Sequence, residues 1–334
     1  MKLSSLAGAS LLVPELLKGI SKNEKSEDRK LIIIQLSGGN DGLNTIIPFS
    51  NDIYYRNRPS IAISRNKTLP LNDETGLHPS LSGLRKLYDR GEVSIINNVG
   101  YAHPYRSHFK SLNFWHTASA RQKTGWLGRY LDLAPERKEL VCEMSETKSL
   151  AIKGNYREGI AWQTTNSSVL FSAYPDTLIG NKLKQVAQLI NSELCPKVFY
   201  LSHEGFDTHI SQIPTHEKLL SQLDEALHSF TKELRATDKF KDVVVVIFSE
   251  FGRRVAENEH KGTDHGAASN MFLLSGGLKK AGLYNPLSNL EDLDEGDVKY
   301  EIDFRQVYAT LLEKWLGANA GSILGNEFNQ LNFI

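Results

Sequence analysis

The chain has 334 residues, of which 40% are hydrophobic and 23% are charged, a balance typical of one large soluble α/β domain with a buried core. Its 39 Lys and Arg residues equal its 39 Asp and Glu residues, so the net charge offers nothing to attract nucleic acid, and no nucleic-acid partner is expected. The only cysteines are Cys142 and Cys195, which excludes a disulfide scaffold and leaves one bridge between them open.

The first 30 residues differ from the rest of the chain. Residues 3–17 form a short apolar run, LSSLAGASLLVPELL, which is followed by a polar linker. The run is too short to cross a membrane, and it resembles the apolar region of an export signal. We therefore predict an export-signal-like segment and linker at 1–30, a folded domain at 31–334, no integral membrane segment, and a periplasmic or cell-envelope location. The alternative is an amphipathic helix at a domain edge in a cytoplasmic protein.

Five apolar runs rich in β-branched residues predict strands. The first, LIIIQL at 31–36, is apolar throughout, as expected of a strand that is buried on both faces. The other four are VSIINN (93–98), KVFYLS (197–202), DVVVVIFSE (242–250) and MFLLSGG (271–277).

Apolar residues at helical spacing predict five helices between and after these strands. The predicted helices cover 80–91, 107–118, 178–193, 215–236 and 303–317. Strands that alternate with helices indicate an α/β fold, with a mainly parallel sheet covered by helices on both faces.

Acidic residues and histidines follow the predicted strands. Ligands of open α/β sheets bind beyond the carboxyl ends of the strands, and carboxylates and imidazoles are common metal ligands. The sequence therefore predicts a divalent metal site at this edge. Each position also has a plainer interpretation, as a turn, a solvated loop or an internal ion pair. The candidates are Asp41, His203, Asp207, His209, Glu250, Asp264 and His265.

Two further segments carry groups that suit an anionic substrate. Arg253 and Arg254 in SEFGRR either bind a phosphate or sulfate oxyanion or pair with Glu250. Ser107 in YRSHF opens a predicted helix, where it is either a helix cap or, next to a metal, a nucleophile.

Seven motifs together resemble the family catalogued as domain of unknown function 1501 (DUF1501), which is itself similar to the alkaline phosphatase and arylsulfatase superfamily. The resemblance implies a three-layer α/β/α sandwich, alkaline phosphatase-like, that holds metals at strand ends. In chain order the motifs are LSGGNDGLNTIIP, GLHPSL, YRSHF, TGWLGRYLD, GFDTH, SEFGRR and GTDHG.

The resemblance also implies roles for individual residues. Ser107 corresponds best to the nucleophile. For ester hydrolysis we further predict that Arg106 or Arg253 steadies the developing charge. Zinc is the expected metal, with calcium, magnesium and manganese as alternatives. The metal ligands that the resemblance implies are Asp41, Asp207, His209, Glu250 and His265. Asp264, in the glycine-flanked GTDHG segment, completes the predicted set.

Two departures from the superfamily pattern affect the functional prediction. Phe251 stands where a histidine ligand is expected, so His203, His216 or Asp264 would have to replace it, and no Cys-x-Pro-x-Arg sulfatase segment surrounds Ser107. We predict a metal-dependent hydrolase of phosphoric or sulfuric esters that acts on an anionic small-molecule or glycan ester. The alternatives are a non-catalytic exported binding protein with a degenerate site, which Phe251 favours, and a metal-dependent phosphomutase. The oligomeric state stays open.

Overall fold

A computed structural model describes residues 29–134, 140–163, 173–192 and 195–334. Residues 1–28, which hold most of the predicted export segment, lie outside this range. Within it, no helix is both long enough and apolar enough to cross a membrane. Cys142 is buried, and no disulfide joins it to Cys195.

The strands of the described residues form one nine-stranded sheet and one small three-stranded sheet. In chain order the strands are β1 Lys30–Ser37, β2 Ile46–Ile47, β3 Leu69–Pro70, β4 Gly76–Leu77, β5 Val93–Gly100, β6 Val141–Glu143, β7 Ile160–Ala161, β8 Val198–Glu204, β9 Val243–Phe248, β10 Ser269–Leu274, β11 Gly282–Leu283 and β12 Ile302–Asp303. The large sheet has the order β11-β5-β10-β9-β1-β8-β6-β7, with β12 beside β5, and the small sheet has the order β2-β4-β3.

Helices cover both faces of the large sheet. In chain order they are α1 Gly42–Thr45, α2 Asp52–Asn57, α3 Ser82–Asp89, α4 His108–Thr117, α5 Trp126–Leu133, α6 Leu178–Ile190, α7 Gln212–Ala236, α8 Phe304–Thr310 and α9 Ala320–Leu324. A π-helical segment at Leu311–Leu316 continues α8.

The central strand β1 shows why there are three layers. Side chains alternate along a strand, so Ile32 and Ile34 lie in one core with α3, α6 and α7, while Leu31 and Ile33 lie in a second core with α4, α5 and α8. Both faces are apolar because both are covered. The predicted three-layer α/β/α sandwich with a mainly parallel sheet is confirmed.

The connection from β9 to β10 contains no helix, and β10 consequently runs antiparallel to both β9 and β5. The other long strands are parallel to β1. The start of β10 therefore lies at the same sheet edge as the ends of β1, β5, β8 and β9. This topology brings the loops that follow four strands, and the loop that precedes a fifth, to one edge.

All five predicted strands and all five predicted helices are present, with changes at their ends. Helix α7 begins at Gln212, three residues before the predicted start, because Pro214 lies in its first turn, where a missing N–H costs nothing. Helix α5 was not predicted. Gly128 and the loops on either side of α5 obscure the helical period, although α5 lies in the TGWLGRYLD motif.

His116, near the end of α4, gives the folded chain a pH-dependent stability. Its ring is buried, its Nε2 lies 2.9 Å from the Tyr200 hydroxyl, and burial lowers its pKa to about 4. Above the ordinary histidine pKa of about 6.5 both the folded and unfolded states hold a neutral ring. Below it, only the unfolded state gains the proton, so stability falls towards pH 4 by up to about 1.4 kcal/mol for each pH unit.

We expect His116→Gln, which keeps a donor for Tyr200, to flatten this dependence. The measurement is urea unfolding of both proteins at intervals from pH 7 to pH 4.5. His78 and His216 are also buried with lowered pKa values, so part of the slope will remain. Identical slopes for the two proteins would contradict the assignment to His116.

Candidate metal centre

Three loops bring four side chains together at the sheet edge described above. His108 is the first residue of α4, Asp207 and His209 follow β8, and His265 precedes β10. We call these four residues the His–Asp cluster. They are partly exposed, with side-chain exposures of 36% for His108, 49% for Asp207, 37% for His209 and 21% for His265, so solutes can reach them.

Three members of the His–Asp cluster, His108, Asp207 and His265, have nitrogen and oxygen atoms spaced as metal ligands are, and His209 lies beside two of them. Tetrahedral zinc ligands lie about 2.0–2.2 Å from the metal and therefore roughly 3.3 Å from one another. His108, Asp207 and His265 each offer an atom within 4.8 Å of the others. The separations are 2.9 Å between Nε2 of His209 and Nε2 of His265, 3.0 and 3.1 Å from these two atoms to Asp207 Oδ1, and 3.4 Å from His108 Nε2 to Asp207 Oδ2.

Each of the three imidazoles has an oxygen atom beside its Nδ1. The contacts are His108 Nδ1 to Glu250 Oε1 at 2.9 Å, His209 Nδ1 to Asp264 Oδ1 at 3.2 Å, and His265 Nδ1 to the Arg106 carbonyl at 2.8 Å. Because a carbonyl and a carboxylate accept hydrogen bonds, they favour the tautomer with the proton on Nδ1. That tautomer leaves a lone pair on each Nε2, which is how metal-binding histidines are held.

His108 Nε2 is the clearest sign that a ligand fits here. The atom is buried and makes no hydrogen bond with the described residues, and Asp207 Oδ2 lies 3.4 Å from it. A buried polar atom without a hydrogen bond costs free energy, which a cation bound between the imidazoles and Asp207 would offset. The cluster therefore fits a divalent metal.

Arg253 lies next to the cluster and forms an ion pair with its carboxylate, Asp207. Its guanidinium is buried, donates to Asp207 Oδ1 at 2.7 Å, and also donates to the carbonyls of Gly39 and Thr263 at 2.7 Å each. Partial burial raises the pKa of Asp207, but the Arg253 and His265 hydrogen bonds outweigh that effect and lower it to about 2. Asp207 is thus ionised at any physiological pH, and its Oδ2 stays directed at His108.

The predicted ligands Glu250 and Asp264 contact histidines of the cluster. Glu250 is buried at the end of β9, where its Oε1 accepts from the Gly38 N–H at 2.8 Å and pairs with His108. That hydrogen bond raises the pKa of His108. Asp264 is exposed and contacts His209 and Asn258. In this structure both carboxylates orient imidazoles, and their assignment as direct ligands stays a prediction.

Asp41, another predicted ligand, is buried away from the cluster. Its Oδ2 lies 2.6 Å from Arg58 Nη1 and accepts from Gln212, while its Oδ1 accepts from the Leu43 N–H at 3.2 Å. Burial raises the pKa of Asp41, but the Arg58 charge and hydrogen bond outweigh it and lower that pKa. Gln212 also accepts from Thr263, so Asp41 is connected to the cluster only through intervening residues.

Ser107 and Arg106 directly precede the first cluster histidine. Ser107 is the N-cap residue of α4, is exposed, and makes no side-chain capping hydrogen bond, so its hydroxyl is available. The Arg106 guanidinium instead pairs with buried Asp297 at 2.7 Å and with Glu295 at 3.2 Å. The backbone carbonyl of Arg106, rather than its charge, contacts the cluster.

His108, which the sequence analysis missed, contributes an imidazole to the His–Asp cluster, whereas Phe251 contributes none. His203 and His216, two of the proposed replacements, are buried and bonded to the Leu219 carbonyl and to Asn40. Phe251 instead packs its ring 4.8 Å from that of His108. The sequence did contain a signal for His108 as a site residue, because His108 directly follows Ser107 in the YRSHF motif.

Comparison with solved structures finds several that the chain resembles at low identity. One is the zinc complex of the C-terminal periplasmic domain of EcEptC from Escherichia coli, with a TM-score of 0.41, 13% identity, and coverage of 76% of this chain and 74% of that chain. Another is the lipoteichoic acid synthase LtaP from Listeria monocytogenes, with a TM-score of 0.46, 12% identity, and coverage of 95% and 78%. A third is a protein in the alkaline phosphatase superfamily from Vibrio parahaemolyticus, with a TM-score of 0.44, 10% identity, and coverage of 92% and 68%.

Comparison at the level of sequence gives one family. No curated protein matches the chain. The family described as "Protein of unknown function (DUF1501)" matches residues 191–320, the part of the chain that carries Asp207, His209 and His265. Over these residues, the match confirms the resemblance to the DUF1501 family that the motifs indicate.

Proposed function

We propose that the protein is a metal-dependent hydrolase of phosphoric or sulfuric esters, with its metal in the His–Asp cluster. The observation that carries the proposal is the convergence of three imidazole Nε2 atoms on one ionised carboxylate, with every Nδ1 beside an oxygen acceptor. Mixed nitrogen and oxygen ligands at tetrahedral spacing suit zinc best.

The residues around the cluster have separable roles in this proposal. His108, His209, His265 and Asp207 would hold the ion, which when bound supplies a Lewis acid and lowers the pKa of a coordinated hydroxyl or water. Glu250 and Asp264 orient two of the imidazoles. The N-terminus of the ten-residue helix α4, which begins beside Ser107, favours the negative charge of a phosphate or sulfate.

Ser107 would act as the nucleophile. Its Oγ would attack the phosphorus or sulfur atom and lose its proton to solvent, while the alcohol oxygen of the ester departs and takes up a proton. Water would then cleave the seryl ester and release phosphate or sulfate. The exposed and uncapped hydroxyl of Ser107, next to His108, supports this role.

We expect Ser107→Ala to abolish turnover of p-nitrophenyl phosphate or p-nitrophenyl sulfate, by at least about 100-fold, while zinc content and thermal stability stay unchanged. The matched control is Ser64→Ala. Ser64 is an exposed serine that precedes the 3-10 helix Arg65–Lys67 and does not belong to the His–Asp cluster. Turnover that survives in Ser107→Ala would exclude the nucleophile role but leave the metal site open. No turnover of either ester by zinc-loaded wild-type protein would count against the hydrolase itself.

A second candidate is a non-catalytic binding protein, and Arg253 is the observation that favours it. The Arg253 guanidinium already neutralises Asp207 and lies 3.4 Å from His209 Nε2, so the cluster could bind an anion without a metal. Elemental analysis of protein purified with added zinc separates the candidates. Near-stoichiometric metal supports the hydrolase, whereas metal-free protein that binds inorganic sulfate or phosphate supports the binding protein.

We also propose that the protein is exported. The proposal rests on the apolar run at residues 3–17, which lies outside the described residues. N-terminal sequencing of protein from cell fractions tests it. A periplasmic or envelope form that begins after the apolar run is expected, and a cytoplasmic form with an intact N-terminus would contradict it.

A further inference from the structure

A cavity of about 420 Å³ opens beside α4, next to the loop that leads into the His–Asp cluster. This volume falls in the range of about 300–1,000 Å³ that small-molecule sites occupy. None of the assigned site residues lines it. The lining includes Tyr101, His103, Tyr105, Phe114, Arg121 and Arg305.

Three aromatic rings form one wall of this cavity. Tyr101 and Phe114 have ring centroids 4.4 Å apart, and Tyr105 lies 6.5 Å from each. Tyr101 is fixed because it is buried and its hydroxyl lies 2.8 Å from Ser111 Oγ. Tyr105 is 43% exposed, so it offers a ring surface to a ligand. Such a surface suits a ring with an apolar face and polar edges, as a pyranose has.

The charge around the cavity has one sign. The charged side chains in its lining are Arg121 and Arg305, and the lining includes no aspartate or glutamate. Arg305 is paired with Asp303 at 2.6 Å, but Arg121 is exposed and has no ion pair with any residue that the structure describes. An exposed guanidinium without an ion pair is suited to bidentate hydrogen bonding with a sulfate, phosphate or carboxylate.

The cavity is close to the His–Asp cluster along the chain. Tyr105 lines the cavity and His108 belongs to the cluster, so their Cα atoms are at most about 11 Å apart even if the chain between them is extended. A ligand of two or three sugar rings could therefore occupy the cavity and reach the cluster.

We propose that this cavity binds an anionic pyranose unit of the substrate, with the ring against Tyr105 and the anionic group on Arg121. The ester to be cleaved would lie on the adjacent unit, at the cluster. This assignment rests on the proposed hydrolysis for its purpose, but the binding itself requires neither metal nor turnover.

The test is calorimetric titration of the full chain, stripped of metal with chelator, with three disaccharides of the same hexoses. One carries a single sulfate, one carries a uronate carboxylate in its place, and one is neutral. We expect the sulfated or the carboxylated disaccharide to bind at least about tenfold more tightly than the neutral one, and the stronger of the two identifies the anion. Equal affinity for all three, or no binding of any, would overturn the proposal.

Variants locate the binding. We expect Arg121→Gln to weaken binding of the anionic disaccharide about tenfold, and Arg121→Lys to weaken it less, since the charge remains. The matched control is Arg56→Gln, at an exposed position outside the cavity, with thermal unfolding to verify the fold. Unchanged affinity in Arg121→Gln would overturn the assignment. Disaccharide binding without any ester turnover would contradict the hydrolase alone, and turnover without disaccharide binding would contradict the cavity alone.

Discussion

Replacing His265 by alanine is expected to lower zinc affinity by more than about 100-fold, because it removes one imidazole from the proposed four-ligand site. Loss of a residue that only supports a ligand costs about 10–100-fold. His265 is the residue to change first, since its Nε2 lies within 3.1 Å of both His209 Nε2 and Asp207 Oδ1. Its Nδ1 contacts only a backbone carbonyl, so no carboxylate loses its partner. Competition with a zinc-sensitive dye measures the affinity.

Two further variants make this result specific. His260→Ala removes an exposed histidine outside the cluster and should leave the affinity unchanged. His108→Ala should lower it as His265→Ala does, because His108 Nε2 is buried without a hydrogen bond and faces Asp207 Oδ2 at 3.4 Å. Zinc affinity that is unaffected by both cluster substitutions would mean that zinc binds elsewhere.

Replacing Arg58 by methionine is expected to destabilise the protein by about 3–5 kcal/mol, because it leaves the Asp41 carboxylate buried without its counter-charge. The two side chains are 0% and 1% exposed. The Arg58 guanidinium also donates to the carbonyls of Val255 at 2.8 Å and Arg254 at 2.9 Å, which joins the first-strand turn to the chain beyond β9. Such a loss is a large share of an ordinary folding free energy of about 5–15 kcal/mol.

Urea unfolding at neutral pH measures this effect. Arg85→Met breaks the partly exposed Arg85–Asp89 pair and should cost less than about 1 kcal/mol. Adding Asp41→Asn to Arg58→Met should recover part of the loss, since the unpaired charge disappears. A small effect of Arg58→Met, with no recovery in the double variant, would show that Asp41 is not held as an ion pair. It would then favour the predicted role of Asp41 as a metal ligand.

The sheet and its edge could be predicted because their signals are local. Residues 31–36 are apolar at every position, which requires cover on both faces, and the helical period at 215–236 supplies part of that cover. The strand-end rule then selected the correct edge for Asp207, His209 and His265. The direction of β10 was harder to predict, because this strand is antiparallel to β9 only since the connection between them lacks a helix.

The division of roles within the site could not be read from the sequence. Asp41 and Asp207 both follow strands, yet Asp41 meets a buried arginine from α2's end while Asp207 meets histidines from two other loops. Glu250 lies directly at a strand end, but its carboxylate contacts a histidine from α4. These differences depend on contacts between residues 17 to 212 positions apart, which no local pattern contains.

Diffraction from zinc-grown crystals, measured above and below the zinc absorption edge, would locate the proposed metal. We expect an anomalous peak within about 2.0–2.2 Å of Nε2 of His108, His209 and His265 and of an oxygen of Asp207, which would place zinc in the His–Asp cluster. A peak beside Asp41 instead, or no peak at the His–Asp cluster in crystals that contain ample zinc, would contradict that placement.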